Sequence, residues 1–382
     1  MSTPLVAGYA TSEATREYVS TFGKACGRGH FSDFPETRLR LSSLGVGSFP
    51  GAPTDEVDAQ IASIVRDALL NGINVVDTGA HYRYGRSCSA LGEGIRAALA
   101  QGVKREQMFL VSKGGFLGFR DGRPDDLNAW FEREIVLTGL GRKDDLVQGH
   151  CISPEYIGFQ LELSRRLMGV ETLDAFLIDQ PEVHIPVIGK EMLNRKLEAV
   201  FRVLEQAVRE GRLRYYGIST FNGFRVETDN VLFQSFTSML GLAEKAAQAV
   251  WQDARAKPNF RVVQMPFNQV MQEGFTRFNQ ATGQGNVASS LQAAYQLGLY
   301  VMASHGLFKG RLAQTSLDAV MQTLASLPNP AQRAMQFNRS TPGLGTSLIG
   351  MSSPAHLQDM LAVARLEPLE KSVYLQMYER VE

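Results

Sequence analysis

From about Leu41 onward, the chain alternates short apolar segments with longer segments that have the periodicity of amphipathic helices. The apolar segments are nearly continuous and do not alternate with polar residues, which is typical of parallel strands buried on both faces. Eight such units in sequence predict a closed parallel sheet surrounded by helices. We therefore predict an α/β fold, a (β/α)8 TIM barrel that forms a single domain.

The predicted strands are residues 43–48, 74–78, 109–112, 175–178, 215–219, 262–266, 300–304 and 347–350. The clearest predicted helices are residues 56–70, 89–100, 154–168, 190–210 and 287–297. Two long segments, residues 116–147 and 268–286, follow the third and the sixth strand. Loops that leave the strands of a parallel barrel gather on its catalytic face, so we expect both segments to border the substrate site.

The barrel should comprise residues 39–365, with an N-terminal extension at residues 1–38 and a C-terminal tail at residues 366–382. The extension is polar and lies outside the alternation of strands and helices. Two positions stay open for it: a strap across one end of the barrel, or a cover over the active site.

Composition argues against several classes of protein. Lys and Arg together number 39, as do Asp and Glu, so the chain has no excess of positive charge. The composition therefore gives no indication of a nucleic acid or an anionic membrane as partner. Three cysteines without a pattern indicate neither a disulfide framework nor a metal site, and they suit a reducing cytoplasm. No apolar run approaches the ~20 residues that a bilayer requires. We predict a cytoplasmic protein that acts on a small molecule; its oligomeric state stays open.

Charged and phenolic side chains follow two neighbouring predicted strands. Asp77 ends the second strand, Lys113 ends the third, and Tyr82 lies on the loop after Asp77. An acid alone or a lysine alone would be read as a helix cap or a structural ion pair. Together with a tyrosine they predict a proton-transfer group, because a nearby cation can lower the phenol pKa from its reference value of about 10.

These residues and several later motifs resemble the aldo-keto reductase family. The matching motifs occur in the family's order over residues 41–365: Asp77-Thr78-Gly79 with Tyr82 five residues after Asp77, Val111-Ser112-Lys113, Gly217-Ile218-Ser219-Thr220-Phe221, Gln264, and residues 339–343 followed by Gly350. The resemblance implies that Tyr82 gives a proton to a carbonyl oxygen and that Asp77 and Lys113 tune it.

Three other residues are candidates for the substrate pocket. Tyr84 precedes Gly85, which resembles the family's tyrosine-glycine pair, but the spacing from Asp77 favours Tyr82 as the proton donor. His81 and His150 should lie on the catalytic face by topology. A lone histidine is more often a packed or capping residue than a catalyst, so we name both as pocket candidates only.

Asp179, after the fourth strand, stands where the family has a histidine that donates a hydrogen bond to the substrate. An ionised aspartate can only accept one. Three alternatives follow for this catalytic position: a protonated donor that shifts reactivity towards C=C or C=N bonds, an anion that binds a cationic substrate nitrogen, or a mark of lost catalysis.

A hydride must come from a nicotinamide, because no side chain supplies one. No Gly-x-Gly-x-x-Gly motif follows a strand, which disfavours a Rossmann site. The resemblance places the cofactor across the top of the barrel, and the implied contacts are Ser219, Thr220 and Gln264 for the amide, Ser304, Gly306 and Leu307 for the pyrophosphate and ribose, and Arg339, Gly350, Ser352 and Ser353 for a phosphate. Hydroxyl groups at a helix N-terminus suit a 2′-phosphate, so we expect NADPH. His356 and Met360 replace the arginine and asparagine that the family commonly carries there.

The sequence therefore predicts an NADPH-dependent oxidoreductase of aldo-keto reductase type that reduces a small or medium carbonyl, C=N or C=C compound. Two alternatives stay open. One is a non-catalytic cofactor-binding barrel that serves as a regulatory subunit, and the other is a redox-neutral isomerase or lyase that uses bound NADP.

Overall fold

The structure is a computed structural model of the 382-residue chain, and it describes residues 4–120, 122–283, 285–314 and 322–379. In chain order its strands are β1 Phe31–Asp33, β2 Arg40–Ser42, β3 Leu44–Gly47, β4 Val75–Asp77, β5 Phe109–Gly114, β6 Leu173–Asp179, β7 Leu213–Ser219, β8 Phe260–Pro266, β9 Phe278–Ala281, β10 Val287–Ser289, β11 Tyr300–Ser304 and β12 Thr346–Gly350. Its α-helices are α1 Ser12–Phe22, α2 Asp55–Leu70, α3 Arg86–Leu99, α4 Leu127–Phe131, α5 Pro154–Met168, α6 Ile185–Arg209, α7 Phe236–Trp251, α8 Glu273–Thr276, α9 Ser290–Gln296, α10 Pro330–Arg339, α11 Pro354–Ala364 and α12 Lys371–Glu379.

Strands β3 to β8, β11 and β12 form a closed barrel of eight parallel strands, with β12 paired to β3 and β11 paired to β8. Each of these strands overlaps a predicted one, and the (β/α)8 TIM barrel is confirmed. The barrel core is apolar: Val75, Val111, Leu177 and Met302 belong to one buried cluster. A second and larger cluster joins the outer faces of the strands to the surrounding helices.

Local chemistry sets the helix boundaries. Ser153 accepts a hydrogen bond from the backbone N–H of Tyr156, and Pro154 follows as the first residue of α5. Helix α5 ends at Gly169, whose φ of 71° is a conformation that glycine adopts readily. Helix α6 begins at Ile185, earlier than predicted, and continues through a kink at Gly189.

The predicted helix at residues 287–297 is wrong in its first turn. Val287 to Ser289 form β10, which pairs antiparallel with β9. The helix begins only after Ser289, because the Ser289 side chain accepts from the backbone N–H of Gln292 and caps α9. The segment after the sixth barrel strand therefore contains a β-hairpin that the sequence did not predict.

The N-terminal extension closes the amino end of the barrel. Its strand β1 pairs with β2, so the hairpin crosses the expected boundary between residues 38 and 39. Phe34, between these strands, is fully buried and its ring lies 4.9–5.7 Å from those of Phe109, Tyr215 and Tyr300, near the starts of three barrel strands. The extension thus lies opposite the face where the strands end.

The C-terminal tail contains α12, whose Tyr374 is buried and shares a hydrogen bond of 2.7 Å with Thr341. Throughout the described ranges, every helix is too short or too polar to cross a bilayer.

Candidate active site

The ion pair of Asp77 and Lys113 forms the floor of the site at the carboxyl ends of β4 and β5. Lys113 Nζ lies 2.6 Å from Oδ1 and 2.5 Å from Oδ2 of Asp77, and it also donates to the carbonyl of Thr78 at 3.1 Å. Both side chains are almost completely buried. Burial raises the pKa of Asp77, while the charge and hydrogen bond of Lys113 lower it.

Tyr82 lies directly above this pair. Lys113 Nζ is 5.1 Å from the centre of its ring, and the ring edges of His81 and Phe49 are in contact at centroid distances of 4.7 and 5.0 Å. Phe49 was not predicted as a site residue, although its side chain is 61% exposed beside the phenol.

The pKa of the Tyr82 phenol is shifted upward, whereas the sequence predicted a downward shift. Burial raises it well above the usual value, and the charges of Asp179 and Asp77 add to this effect. The cation that was expected to lower the pKa is paired with both oxygens of Asp77, whose own charge acts in the opposite direction. Tyr82 is therefore a protonated phenol at neutral pH, suited to give a proton rather than to take one.

The turn that carries Tyr82 is tightly built. A Cβ on Gly79 would lie 3.1 Å from the rings of both His81 and Tyr82, so a larger residue would push these rings apart. Arg83 and Tyr84 both have positive φ, and the Arg83 guanidinium is held by Asp58 at 2.6 Å. Tyr84 is 37% exposed and borders a separate cavity of about 250 Å³ at the N-terminal ends of α2 and α3.

Asp179 lies beside His81, although the two residues are far apart in the sequence. Oδ1 of Asp179 accepts from Ser219 at 2.9 Å, and Oδ2 lies 3.6 Å from Nε2 of His81. Burial raises the pKa of Asp179 to about 6, with Lys113 and Ser219 opposing and Glu182 and Asp77 adding to the rise.

Ser219 and Gln264 link the two acids. Besides its bond to Asp179, Ser219 Oγ lies 3.1 Å from Oε1 of Gln264, and Nε2 of Gln264 donates to Asp77 at 3.2 Å. Asp77, Gln264, Ser219 and Asp179 thus lie in one row of polar contacts across the carboxyl ends of β4, β8, β7 and β6, in which the single O–H of Ser219 can donate to Asp179 or to Gln264.

Thr220 bonds to Glu182, a residue that sequence reasoning passed over. Oε1 of Glu182 accepts from Thr220 Oγ1 at 2.5 Å and from the backbone N–H groups of Phe221 and Asn222 at 2.8 and 3.1 Å. Its other oxygen, Oε2, is buried without a hydrogen-bond partner among the described residues. The only sequence signal was an acid three residues after Asp179 in the same motif.

The two pocket histidines have different surroundings. His81 stands between Tyr82, Phe116 and Asp179. His150 is fully buried, and its two ring nitrogens contact the backbone oxygen of Asp179 at 2.6 Å and His184 at 2.9 Å. His150 therefore supports the end of β6 from behind, where it has no exposed surface to offer a substrate.

The ends of β11 and β12 provide small and hydroxylated residues. A Cβ on Gly306 would lie 3.0–3.1 Å from Ser347, Leu348 and Ile349, so only glycine fits closely there. Ser304 contacts His305, and Leu307 follows on the same partly buried turn. Gly350 ends β12, Ser353 caps α11, and Ser352 faces the ring of His356.

Arg339 does not lie with these residues. It ends α10 near the start of β3, where its guanidinium donates to Ser43 and to the backbone oxygens of Val363 and Leu366. The side chain is buried at the amino end of the barrel, opposite the other predicted cofactor contacts. Its loss of solvation lowers its pKa to about 10. We correct its expected role in phosphate binding on this ground.

Several known proteins have sequences similar to this chain. The sequence model of the Aldo/keto reductase family matches residues 43–381. One relative from Schizosaccharomyces pombe, named as a candidate voltage-gated potassium channel subunit beta, is 20% identical over 344 residues, which cover 88% of each chain. An uncharacterized oxidoreductase of Bacillus subtilis, YtbE, is 27% identical over 173 residues, which cover 45% of each chain.

Solved structures share the fold. The holo form of the aldo-keto reductase AKR11C1 from Bacillus halodurans has a TM-score of 0.59 at 18% identity and covers 91% of this chain and 95% of its own. An aldo/keto reductase from Klebsiella pneumoniae, crystallised in complex with NADP and acetate, has a TM-score of 0.58 at 18% identity over 92% of this chain and 94% of its own.

Proposed function

Because this chain belongs to the aldo/keto reductase family, we propose that it is an NADPH-dependent oxidoreductase that reduces a small or medium carbonyl, C=N or C=C compound with Tyr82 as the proton donor. The observation that carries this proposal is the buried Asp77–Lys113 pair beneath the ring of Tyr82. A cytoplasmic location is part of the proposal, since the thiols of Cys26, Cys88 and Cys151 are free.

The chain's own residues would protonate the substrate. The nicotinamide, when bound, supplies the hydride. Tyr82 gives its proton to the substrate oxygen as negative charge develops there, and its raised pKa keeps the phenol protonated until that moment. Lys113, whose Nζ lies 5.1 Å from the centre of the Tyr82 ring, places its charge beneath the resulting phenolate, and Asp77 keeps Lys113 in place.

The residues at the ends of β7, β8, β11 and β12 fit a nicotinamide dinucleotide. Ser219 and Gln264 offer polar atoms for a carboxamide, and Glu182 adds a buried oxygen without a partner in the described ranges. Gly306 permits close approach of a ligand to the backbone. The remaining proposed contacts are Thr220, Ser304, Leu307, Gly350, Ser352 and Ser353. Arg339 is left out because it lies at the other end of the barrel.

The surroundings of Asp179 bear on the three roles that it could have. Its pKa of about 6 makes a protonated donor available in weakly acidic solution and an anion available above it. Both states are compatible with reduction: the first for a neutral carbonyl or conjugated bond, the second for a substrate with a cationic nitrogen. We propose that Asp179 takes part in binding the reacting end of the substrate.

A second candidate function is a cofactor-binding regulatory subunit. The name of the yeast relative, which matches 88% of this chain, favours it. The intact group of Asp77, Tyr82 and Lys113 favours catalysis. A redox-neutral isomerase or lyase that uses bound NADP would give product at a constant NADPH concentration, whereas a reductase would consume NADPH.

Titration of the protein with NADPH and NADH, followed by Trp130 and Trp251 fluorescence, tests the proposal first. We expect NADPH to bind more tightly than NADH. A screen of carbonyls, imines and enones should then show NADPH oxidation by the wild type and not by Tyr82→Phe, while both proteins bind NADPH equally. Binding without turnover of any compound would favour the regulatory subunit, and absence of binding would refute both functions.

A further inference from the structure

His81 belongs to the reacting end of the site and not to its margin. Its ring meets the Tyr82 ring edge-on, with centroids 4.7 Å apart and an interplanar angle of 80°. The ring of Phe116 also packs against His81, with the two ring centroids 5.4 Å apart. The side chain is 14% exposed, so the imidazole is held in place while part of it stays accessible.

The carboxyl group of Asp179 approaches His81 from the end of β6. Nε2 of His81 and Oδ2 of Asp179 are 3.6 Å apart, longer than the 2.7–3.2 Å of an ordinary hydrogen bond. Ser219 fixes the other oxygen of Asp179 at 2.9 Å. Both Nε2 and Oδ2 can therefore still bind a polar atom of a ligand.

The imidazole is neutral in this setting. Burial, followed by the charge of Lys113, lowers the pKa of His81 to about 3. A neutral imidazole offers one N–H donor and one acceptor nitrogen. Nδ1 is buried without a hydrogen-bond partner among the described residues, which is unfavourable for a polar atom unless a ligand satisfies it.

We infer that His81 is a second catalytic residue, which hydrogen-bonds the substrate oxygen protonated by Tyr82, and that Asp179, besides its proposed contact with the substrate, positions the His81 imidazole. The carboxyl group beside Nε2 decides which ring nitrogen carries the proton. His81 follows Ala80 and precedes Tyr82, so the imidazole and the phenol are placed by one turn, and Gly79 provides the room for both rings. This inference rests on the proposed reductase function.

Two substitutions of His81 distinguish a catalytic role from a packing role, because the two roles predict opposite orders of turnover for the variants. His81→Phe keeps a ring against Tyr82 and Phe116 but removes both nitrogens. His81→Asn removes the ring but keeps an N–H donor. If His81 is catalytic, kcat should fall by about 10²–10³-fold in His81→Phe and less in His81→Asn, with the Kd for NADPH unchanged. Turnover by His81→Phe that equals the wild type, or that exceeds His81→Asn, would overturn the inference.

Equal losses of turnover in both variants would also overturn the inference, because the N–H donor that His81→Asn retains should preserve part of the rate.

The link between the two residues has a readout that needs no substrate. In ¹⁵N-histidine spectra the His81 signals are assigned by their loss in His81→Phe, and Asp179→Asn should change their tautomer-dependent shifts. Unchanged shifts would overturn the positioning role of Asp179 even if the protein reduced no compound at all. A failure of the proposed function would instead appear as wild-type protein that binds NADPH without turnover.

Discussion

The ammonium group of Lys113 touches both carboxylate oxygens of Asp77, at 2.5 and 2.6 Å, beneath the ring of Tyr82. The pair is buried, and each charge depends on the other for its compensation. This arrangement joins the stability of the barrel to its proposed chemistry, because the groups that tune the phenol also carry a large electrostatic cost if separated.

Lys113→Met should therefore destabilise the protein by about 3–5 kcal/mol, because it leaves the Asp77 carboxylate buried without a cation. Urea unfolding measures the loss. The double variant Asp77→Asn with Lys113→Met removes both charges and should recover much of it. A double variant as unstable as Lys113→Met would show that packing, and not charge, accounts for the cost.

The direction of the Tyr82 pKa predicts different pH profiles for the two directions of the reaction. Because the pKa is raised by burial and by the two aspartates, the rate of reduction should not fall through deprotonation of Tyr82 between about pH 7 and 9. Oxidation of the product needs the phenolate and should increase over the same range. Steady-state kcat measured in both directions checks this.

Asp179→Asn is the matched control for these profiles. It removes the carboxylate whose charge contributes most to the raised phenol pKa, so the rise in oxidation rate should move to lower pH. A reduction rate that falls with a midpoint below about 9 in the wild type would contradict the raised pKa.

The sequence predicted the barrel because its strands are nearly continuous apolar segments, a pattern that survives without knowledge of contacts. It missed β10 because Val287 and Ala288 are also compatible with a helical period. It named Asp179 and His81 separately, since nothing in their spacing shows that β6 and the loop after β4 bring them to 3.6 Å. The direction of the Tyr82 pKa depends on burial, which only the folded chain defines.

Asp179 should also give the protein a measurable pH dependence of stability. Its folded pKa of about 6 lies above the unfolded value of about 3.9, so its contribution is complete below about pH 4 and is lost as pH rises through 6. Between about pH 4 and 7, the free energy of unfolding of the wild type should therefore decrease by about 1–3 kcal/mol relative to that of Asp179→Asn. Chemical denaturation at several pH values measures this difference. If the free energy of unfolding depends on pH in the same way in both proteins, the raised pKa of Asp179 is refuted.

Phe34 tests how the extension contributes to the barrel. Phe34→Ala should cost about 3–5 kcal/mol, because the ring is fully buried against Phe109, Tyr215 and Tyr300. NADPH binding should be unchanged, since Phe34 lies at the amino end. Phe49→Ala is the control: its ring is 61% exposed beside Tyr82, so stability should hardly change while KM for the substrate increases. Equal losses of stability in Phe34→Ala and Phe49→Ala would contradict a structural role for Phe34 and a substrate-binding role for Phe49.

Glu182 should hold the loop after β7 in the shape that the cofactor requires. One of its oxygens accepts from the Thr220 hydroxyl and from the backbone N–H groups of Phe221 and Asn222. Glu182→Ala leaves the buried Thr220 hydroxyl and the two partly buried N–H groups without this acceptor, and it should cost about 1–3 kcal/mol for each donor that stays unsatisfied. We expect a lower Tm and weaker NADPH binding, measured by thermal unfolding and fluorescence titration.

Two further variants distinguish the role of Glu182 in supporting the loop after β7 from a direct contact of its Oε2 with the cofactor. Thr220→Val removes one donor to Glu182 and leaves both backbone donors, so it should reproduce only part of the loss. Glu182→Gln can keep an acceptor towards the loop but replaces the unpartnered Oε2 with an amide N–H₂ group. If Oε2 receives a hydrogen bond from the cofactor, Glu182→Gln should bind NADPH more weakly at an unchanged Tm. An unchanged Kd in Glu182→Gln would restrict Glu182 to supporting the loop.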